Sequence, residues 1–479
     1  MLEPRRASPE AWIPLAAGLA WLWSARGFGL PGFLFAAVPG SLLLTSGLSD
    51  LLYAGDRRIT QFAALGGALG VPFAIPALWV AGAGTGLVLI ALSAASFVAA
   101  GAIAVREDVY PAEAPPPHLS PRLGAEVGVD EIVLADLTLR TPIALEDEHA
   151  RIRTEAHEAR ALLAERGWLA DPRAYHRAPD APSRVDLRPR RAAGAEYEHL
   201  RFESEYEPWP DEPGRERWLG YAANRTAHAW ILRHRKPRPW LVCIHGYGMG
   251  EPWMDLRAFD AARLHCELGL NLALPVLPLH GPRRQKGRSG DGFLAADFLD
   301  TLHAEAQALW DLRRLLRWIE STDGPARLGV YGLSLGGYNA ALLASFEDAH
   351  AVLAGIPASD LTRLTWRHGR PLQIRFAERH GLVHDEVAEL LRPVSPLAFA
   401  PRPDRADRAI FAAVTDRIVP AWQPRDLWRH WEEPRIVWYA GGHLSFRLHR
   451  PVRELIRDFE RSAAADPGAN ARLPAAASR

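Results

Sequence analysis

The stretch LGVYGLSLGG, residues 328–337, decides the fold class of this chain. Its apolar first half is typical of a buried β-strand, and the small-residue run that follows Gly336 is typical of a helix. Between them, residues 332–336 match the pattern G-x-S-x-G, in which a sharp strand-to-helix turn lifts a serine hydroxyl above a sheet. Alone, this pattern is weak in a chain with 39 glycines. Its position between an apolar strand and a helix makes Ser334 the candidate nucleophile.

Apolar strands alternate with helix-like segments on both sides of this turn. Two predicted strands that precede it are expected to enter the sheet antiparallel. The later strands are separated by helices, a pattern that predicts a parallel sheet covered on both faces. The sequence therefore predicts an α/β fold with a mostly parallel central sheet. The predicted strands are residues 199–206, 227–232, 240–245, 270–277, 327–333, 351–356, 409–414 and 436–439.

The loop after the strand at 240–245 begins with the sequence HGYG, residues 245–248. Acyl transfer needs two backbone N–H groups directed at the developing oxyanion. One comes from the residue after the nucleophile and the other from such a loop. Leu335 and Tyr247 are the predicted donors. His245 is predicted to fix the shape of the loop by hydrogen bonding rather than to act as a base.

Two aspartates compete for the role of the acid that orients a catalytic histidine. Asp416 lies in VTDRIVP, residues 414–420, directly after a predicted strand, where its carboxylate can accept the imidazole N–H. A turn aspartate paired with Arg417 would give the same local sequence. Asp360 follows the preceding strand and is the alternative acid, because this role is sometimes carried one strand earlier. Asp416 is favoured.

His443 is the predicted general base. It follows the last predicted strand in the sequence GGH, residues 441–443, and paired glycines let an imidazole reach over the edge of a sheet. It also follows both Ser334 and Asp416 along the chain, which matches the order nucleophile, acid, base. With 18 histidines in the chain, its position rather than its residue type carries this prediction.

Together these residues resemble the α/β-hydrolase superfamily. The H-G-x-G loop at His245, the turn at Ser334, the D-x-x-V-P loop at Asp416 and the G-H pair at His443 occur in the family order. The resemblance covers roughly residues 196–460 and implies a serine hydrolase of the esterase or lipase type, without a metal or another cofactor. It implies cleavage of an ester, thioester or amide through an acyl-enzyme.

The N-terminal region has a different composition. Residues 59–105 contain no Asp, Glu, Lys or Arg, and such a stretch is long enough to cross a bilayer twice. Residues 27–49 are also uncharged and long enough for one crossing, whereas the aromatic run at 11–25 is a fourth span or an interfacial helix. The sequence therefore predicts three or four transmembrane helices and a multi-pass membrane protein, with the bilayer as a partner.

The sequence indicates less directly on which side of the membrane the catalytic domain lies. Four crossings with the flanking arginines inside place the catalytic domain in the cytoplasm, whereas three place it on the far side. Cys243 and Cys266 are predicted to be buried free thiols, which favours the cytoplasm. Equal totals of 56 basic and 56 acidic residues argue against nucleic acid as a partner.

The predicted domain boundaries follow composition. Residues 1–110 form the membrane region, 111–124 a proline-rich linker, and 125–195 a helical and irregular connecting segment, irregular at 173–191. The catalytic domain covers 196–465, with a small cap at 358–400 in which Trp366 and Phe376 are candidate lining residues. Residues 466–479 are a disordered tail. A basic loop at 283–288 is predicted to be solvated.

The leading functional hypothesis is a membrane-anchored carboxylic ester hydrolase, with lipid or acyl esters as a natural variant of the substrate. A serine peptidase of the same fold uses the same three side chains and is one alternative. A noncatalytic membrane scaffold with a hydrolase-like domain is the other. The presence of both a nucleophile and a base argues against the scaffold.

Overall fold

The computed structural model describes residues 8–27, 29–53, 56–140, 146–294, 297–324 and 326–465. These residues form two compact units. The first comprises the described residues of Met1–Thr141 with two later segments, Ala413–Trp422 and Trp438–Val452. The second comprises the described remainder. The tail predicted at 466–479 lies outside the described residues.

The first unit begins with apolar helices. Among the described residues, three helices are long and apolar enough to cross a membrane, namely α2, α3 and α4. They occupy the uncharged runs from which spans were predicted. Helix α1 has 13 residues and is not among these three. The helices of this part are α1 (Trp12–Ser24), α2 (Gly29–Tyr53), α3 (Arg57–Val80), α4 (Ala83–Glu107) and α5 (Pro121–Arg140).

Helix α5 begins inside the segment predicted as a linker. The Ser120 hydroxyl accepts a hydrogen bond from the N–H of Leu123, and Pro121 fits the first helical turn, so the Ser-Pro pair starts a helix. The helix packs closely on α4, since a Cβ on Gly101 would overlap the carbonyl oxygen of Gly124. Composition thus predicted a proline-rich segment before α5 but not the residue at which the helix begins.

The second unit is built around a nine-stranded sheet in the order β1-β2-β3-β5-β4-β6-β7-β8-β9. Strands β1, β2, β3 and β5 pair antiparallel in that order, whereas β5, β4, β6, β7 and β8 pair parallel. The α/β fold predicted from the sequence is confirmed. The strands are β1 (Val185–Ala192), β2 (Ala195–Glu203), β3 (Thr226–Leu232), β4 (Trp240–Ile244), β5 (Asn271–Val276), β6 (Leu328–Leu333), β7 (Ala351–Gly355), β8 (Arg408–Ala413) and β9 (Arg435–Tyr439).

Strand β1 lies in a segment predicted to be irregular. It is the edge strand of the sheet and pairs only with β2 among the described strands. Its side chains are largely exposed and include Pro189 and three arginines. Charged residues and proline suit an edge strand, because they block further strand pairing, but they hide the strand from a search for apolar runs.

Helices flank the sheet and fill the connections between its strands. The segment predicted as a cap contains three short helices, α12–α14, in which Trp366 stacks on Phe298 and Phe376 contacts His149. The helices after α5 are α6 (Glu146–Glu165), α7 (Arg215–Leu219), α8 (Pro252–Ala258), α9 (Ala261–Cys266), α10 (Phe298–Asp323), α11 (Leu335–Leu343), α12 (Leu361–His368), α13 (Pro371–Arg379), α14 (His384–Leu390), α15 (Trp422–His430) and α16 (Arg450–Ala464).

Two predictions of solvent exposure are wrong in part. Arg283, in the basic loop expected to be solvated, is fully buried and pairs with Asp311 at 2.7 Å. Cys266 is exposed, whereas Cys243 is buried as predicted, and both thiols are free. Cys266 ends a helix of six residues that buries Ala261 and Leu264, and Cys266 lies on its exposed side.

Candidate active site

Ser334 stands at the turn between β6 and α11. Its backbone has φ 59° and ψ −115°, a conformation that costs a non-glycine residue about 1–3 kcal/mol. The N–H of Ser334 donates to the carbonyl oxygen of Gly355 on β7 at 2.9 Å, which holds the strained turn against the sheet. The sequence pattern therefore forms the predicted sharp turn, with Ser334 partly exposed at its apex.

The glycines of this turn are required by close packing. A Cβ on Gly336 would overlap the carbonyl oxygen of Ile244 at the end of β4, and a Cβ on Gly332 would overlap the carbonyl oxygen of Gly336. A Cβ on Gly337 would lie 2.8 Å from the Cβ of Pro357. Any larger side chain at these positions would push the turn away from the neighbouring strands.

The two predicted oxyanion donors belong to segments that adjoin Ser334. Leu335 is the first residue of α11, so its N–H has no acceptor within the helix. The loop that carries Tyr247 also approaches the nucleophile, because a Cβ on Gly246 would lie 3.4 Å from the Cβ of Ser334. The loop that carries Tyr247 and the turn that carries Leu335 are therefore neighbours, as an oxyanion site built from both would require.

His245 contacts the backbone through both ring nitrogens. Its Nδ1 lies 2.8 Å from the carbonyl oxygen of Gly246, and its Nε2 accepts from the N–H of Leu277 at 3.1 Å. An imidazole that donates through one nitrogen and accepts through the other is neutral. These contacts are those expected of a histidine that fixes the loop rather than of a general base.

The predicted acid and base contact each other in the first unit. The Nδ1 of His443 lies 2.6 Å from Oδ2 of Asp416, and both side chains are buried. The other carboxylate oxygen of Asp416 accepts from the N–H groups of Ile418 and Val419 at 2.9 and 2.7 Å. Burial disfavours the charged imidazole, but the carboxylate of Asp416 outweighs it, so the pKa of His443 is raised above its ordinary value.

The alternative acid has a different position. One oxygen of Asp360 accepts from the N–H of Arg363 at 2.9 Å and caps the N-terminus of α12. The N–H of Asp360 itself donates to the side chain of Gln423 at 2.7 Å. Asp360 thus acts as a helix cap, and Asp416 is the aspartate that contacts His443.

Asp130 belongs to this cluster and was not predicted. It lies on α5, is fully buried, and its two oxygens accept from the N–H of His443 at 3.0 and 2.8 Å. The N–H of Arg417 donates to the same carboxylate at 3.2 Å. Burial, and then the charge of Asp416, raise the pKa of Asp130 to about 7.

Arg417 binds acidic groups other than its neighbour Asp416. Its Nε donates to Glu131 at 2.6 Å, and its Nη1 donates to Asp108 at 2.8 Å and to the carbonyl oxygen of Ala104 at 3.2 Å. Ala104 lies near the C-terminal end of α4, and Asp108 directly follows that helix. The loop that carries the acid is therefore fixed to α4 and α5.

No motif pointed to α5, because it lies outside the region of the resemblance. The available signal was the pair Asp130-Glu131 between apolar residues in GVDEIV, residues 128–133, where a buried face would need partners for both charges. Within the described part of the chain, no group of three or more His, Cys, Asp or Glu side chains is arranged to hold a metal ion.

Comparisons with known proteins agree with this architecture. A family model described as alpha/beta hydrolase domain containing 18 matches residues 223–363. Two proteins of Mycobacterium tuberculosis, both described as uncharacterized, from strains CDC 1551 / Oshkosh and ATCC 25618 / H37Rv, are each 42% identical over 338 residues. These matches cover 70% of this chain and 81% of each relative.

Solved structures with a lower similarity include two esterases. Est1E from Butyrivibrio proteoclasticus, with ferulic acid bound, is 15% identical with a TM-score of 0.37 and covers 49% of this chain and 93% of its own. Carboxyl esterase 2 from Tuber melanosporum is 17% identical with a TM-score of 0.34 and covers 50% of this chain and 81% of its own. On the strength of its sheet, its serine turn and the matching family model, the chain belongs to the α/β-hydrolase superfamily.

Proposed function

We propose that this protein is a membrane-anchored serine hydrolase that cleaves a carboxylic ester through an acyl-enzyme. The observation that carries the proposal is the strained backbone of Ser334 at the strand-to-helix turn. Such strain persists only where surrounding packing imposes it, and it clusters at functional sites. The contact between His443 and Asp416 supports His443 as the base and Asp416 as its orienting acid.

In the proposed reaction, Oγ of Ser334 attacks the acyl carbon of the ester while His443 takes the hydroxyl proton. The N–H groups of Leu335 and Tyr247 stabilise the oxyanion of the tetrahedral intermediate. Its collapse breaks the bond to the alkoxy oxygen, and the imidazolium returns the proton to the leaving alcohol. Water then attacks the acyl-enzyme by the same steps and releases the acid and Ser334, while Asp416 stabilises each imidazolium.

The apolar helices support a role at a membrane. Helices α2, α3 and α4 have the length and composition of spans, and a tethered enzyme meets esters that reside in the bilayer. We therefore propose lipid or other long acyl esters as substrates. Comparing hydrolysis of a short soluble ester with that of a long-chain ester in mixed micelles tests this point. A preference for the short ester would contradict it.

We place the catalytic domain on the cytoplasmic side, which with α2, α3 and α4 as the three spans puts the N-terminus on the far side. If α3 and α4 both cross, the segment with Arg57 and Arg58 lies on the same side as the chain after α4, and arginines favour the cytoplasm. The exposed free thiol of Cys266 suits a reducing compartment. A membrane-impermeant maleimide should label Cys266 in opened cells but not in intact ones. Labelling in intact cells would reverse the orientation.

The test of the proposed activity is labelling with a fluorophosphonate, which reports an activated serine without requiring the true substrate. The purified full chain in detergent should be labelled, and Ser334→Ala should abolish the label. Ser321→Ala is the matched control. The hydroxyl of Ser321 donates to the carbonyl oxygen of Trp318 in its own helix, α10, so its removal should leave labelling intact. Absence of labelling in folded wild-type protein would favour the noncatalytic scaffold. Cleavage of peptide amides in preference to esters would favour the peptidase.

A further inference from the structure

We propose that Asp130, on helix α5, is a positioning residue that fixes the acid–base pair of Asp416 and His443. The inference rests on the function proposed above and goes beyond it, because it brings into the site a helix that lies outside the region matched by the hydrolase motifs. Asp130 does not itself exchange a proton with substrate in this proposal. It acts through the two loops that carry the catalytic side chains.

The carboxylate of Asp130 connects these two loops. It accepts from the N–H of His443, the base itself, and from the N–H of Arg417, the residue after the acid. One rigid group thereby sets the distance between two loops that follow different strands. Hydrogen bonds to a charged acceptor are stronger than those to a neutral one, which favours a fixed spacing of the two loops.

The contact between α5 and the His443 loop leaves no spare room. A Cβ on Gly442 would lie 2.9 Å from both carboxylate oxygens of Asp130 and 2.7 Å from the carbonyl oxygen of Glu126. The absence of a side chain at position 442 is therefore what allows the helix to approach the backbone of the base. Such close packing is expected of a specific structural contact rather than of a solvated carboxylate.

Asp130 also contributes charge. The carboxylates of Asp416 and Asp130 lie near the buried imidazole of His443 and favour its protonated form when they are ionised. Because the pKa of Asp130 is raised to about 7, its share of this effect grows as pH rises toward and above that value. The other charged groups around these loops are engaged with each other. Arg417 pairs with Glu131 and Asp108, and Glu126 pairs with His449 and Arg122. Removing the charge of Asp130 should therefore make His443 easier to deprotonate.

The experiment compares Asp130→Asn with the wild type, using the full chain in detergent and a short-chain p-nitrophenyl ester. Asn keeps the shape of the side chain, but its amide nitrogen cannot accept from the N–H of His443. We expect kcat to fall by about 10- to 100-fold, because small misplacements of catalytic groups have effects of this size. We also expect the acidic limb of the kcat/KM profile to move to lower pH, which a purely structural role would not produce.

Two further variants sharpen the test. Asp136→Asn, on the same helix, removes a carboxylate that pairs with Arg140 at the surface and should leave rate and pH profile unchanged. Asp130→Glu keeps the charge, so its acidic limb should stay near that of the wild type even if kcat falls. This pattern would support positioning and charge as separate effects of Asp130.

These experiments distinguish failure of the proposed hydrolase function from failure of the positioning role of Asp130. Wild-type protein that is not labelled at Ser334 would overturn the proposed function, whatever Asp130 does. Labelled, active wild type with an Asp130→Asn variant of equal rate and equal pH midpoint would overturn the role of Asp130 alone. If both Asp130 variants fail to fold, as judged by thermal unfolding beside Asp136→Asn, Asp130 is a folding residue and the positioning role is rejected.

Discussion

The turn that carries Ser334 and the pair formed by His443 and Asp416 are held in place in different ways. The turn is fixed by backbone packing, because its glycines fit against the ends of β4 and β7 with no room for a side chain. The pair is fixed by buried charges contributed by α5, a helix far away in the sequence. The candidate nucleophile is thus specified by local sequence, whereas the candidate acid–base pair depends on long-range polar contacts.

The largest effects should come from removing a reacting group in either region. If the two regions serve one reaction, Ser334→Ala and His443→Ala should each lower kcat by about 10³ to 10⁶, because members of such a set act as a unit. Turnover of a short ester, measured beside Ser321→Ala, tests this expectation.

A double variant gives a sharper test of whether the two regions serve one reaction. Ser334→Ala combined with His443→Ala should be no slower than the more impaired single variant, since effects within one catalytic unit are not additive. If His443→Ala retained nearly full turnover, the two regions would not serve the same reaction and another base would be needed.

A loss within the range expected for Ser334→Ala and His443→Ala, but below its upper limit, is expected when the acid is replaced. Asp416→Asn should lower kcat by about 10⁴, because an amide favours the wrong tautomer of the imidazole. Asp360→Asn is the matched comparison, and asparagine caps a helix about as well as aspartate does, so it should change kcat by less than about threefold. The reverse ranking of the two variants would make Asp360 the acid and contradict the role inferred from the His443 contact.

Gly336→Ala tests the backbone packing of the turn. The added methyl group would overlap the carbonyl oxygen of Ile244, and overpacking of this kind costs about 1–3 kcal/mol of unfolding free energy. Fluorophosphonate labelling should slow by about 10- to 100-fold because the serine is displaced. In Gly84→Ala, the new Cβ meets nothing within 4 Å, so this control should keep both stability and labelling rate. Equal behaviour of the two variants would show that close packing does not fix the turn.

The same contrast explains what the sequence could predict. The strands β2–β9 were predicted to within a few residues, because buried strands are apolar runs bounded by turn residues. Ser334, His443 and Asp416 were singled out as candidates because each follows such a strand. Edge strand β1 was missed, since its exposed arginines and Pro189 give no apolar signal.

Asp130 and the pairing of Arg417 were missed for another reason. Their significance comes from contacts between residues nearly 300 positions apart, and a single sequence does not show such pairs. A buried carboxylate looks like a surface residue until its partners are known. A pair of Arg417 with Asp416 was the local alternative, whereas in the structure Arg417 pairs with Glu131 and Asp108.

The smallest effect concerns the response of the acid–base pair to pH. The pKa of His443 is raised by Asp416 against the effect of burial, so neutral imidazole should accumulate only above the pH at which an ordinary histidine deprotonates. Wild-type kcat/KM should therefore have an acidic limb with a midpoint above about 6.5. A midpoint at or below this value would show that the carboxylates do not govern the charge of the base.

Stability should fall as pH rises, whereas kcat/KM should increase over the acidic limb. Asp130 and His443 both have pKa values raised in the folded protein, so their contribution to stability is fully present below the unfolded-state pKa and is lost as pH rises through the folded-state pKa. For Asp130 this loss lies between about pH 4 and about pH 7. The melting temperature of the wild type, measured relative to Asp130→Asn, should fall over that window. If the difference between the two proteins is flat with pH, the carboxylate of Asp130 is not held at a raised pKa. If the melting-temperature difference falls as pH rises, the contact of Asp130 with His443 both positions the base and makes the protein less stable at the pH where the base is active. This opposition between activity and stability would apply to the pair formed by His443 and Asp416 and not to the turn that carries Ser334.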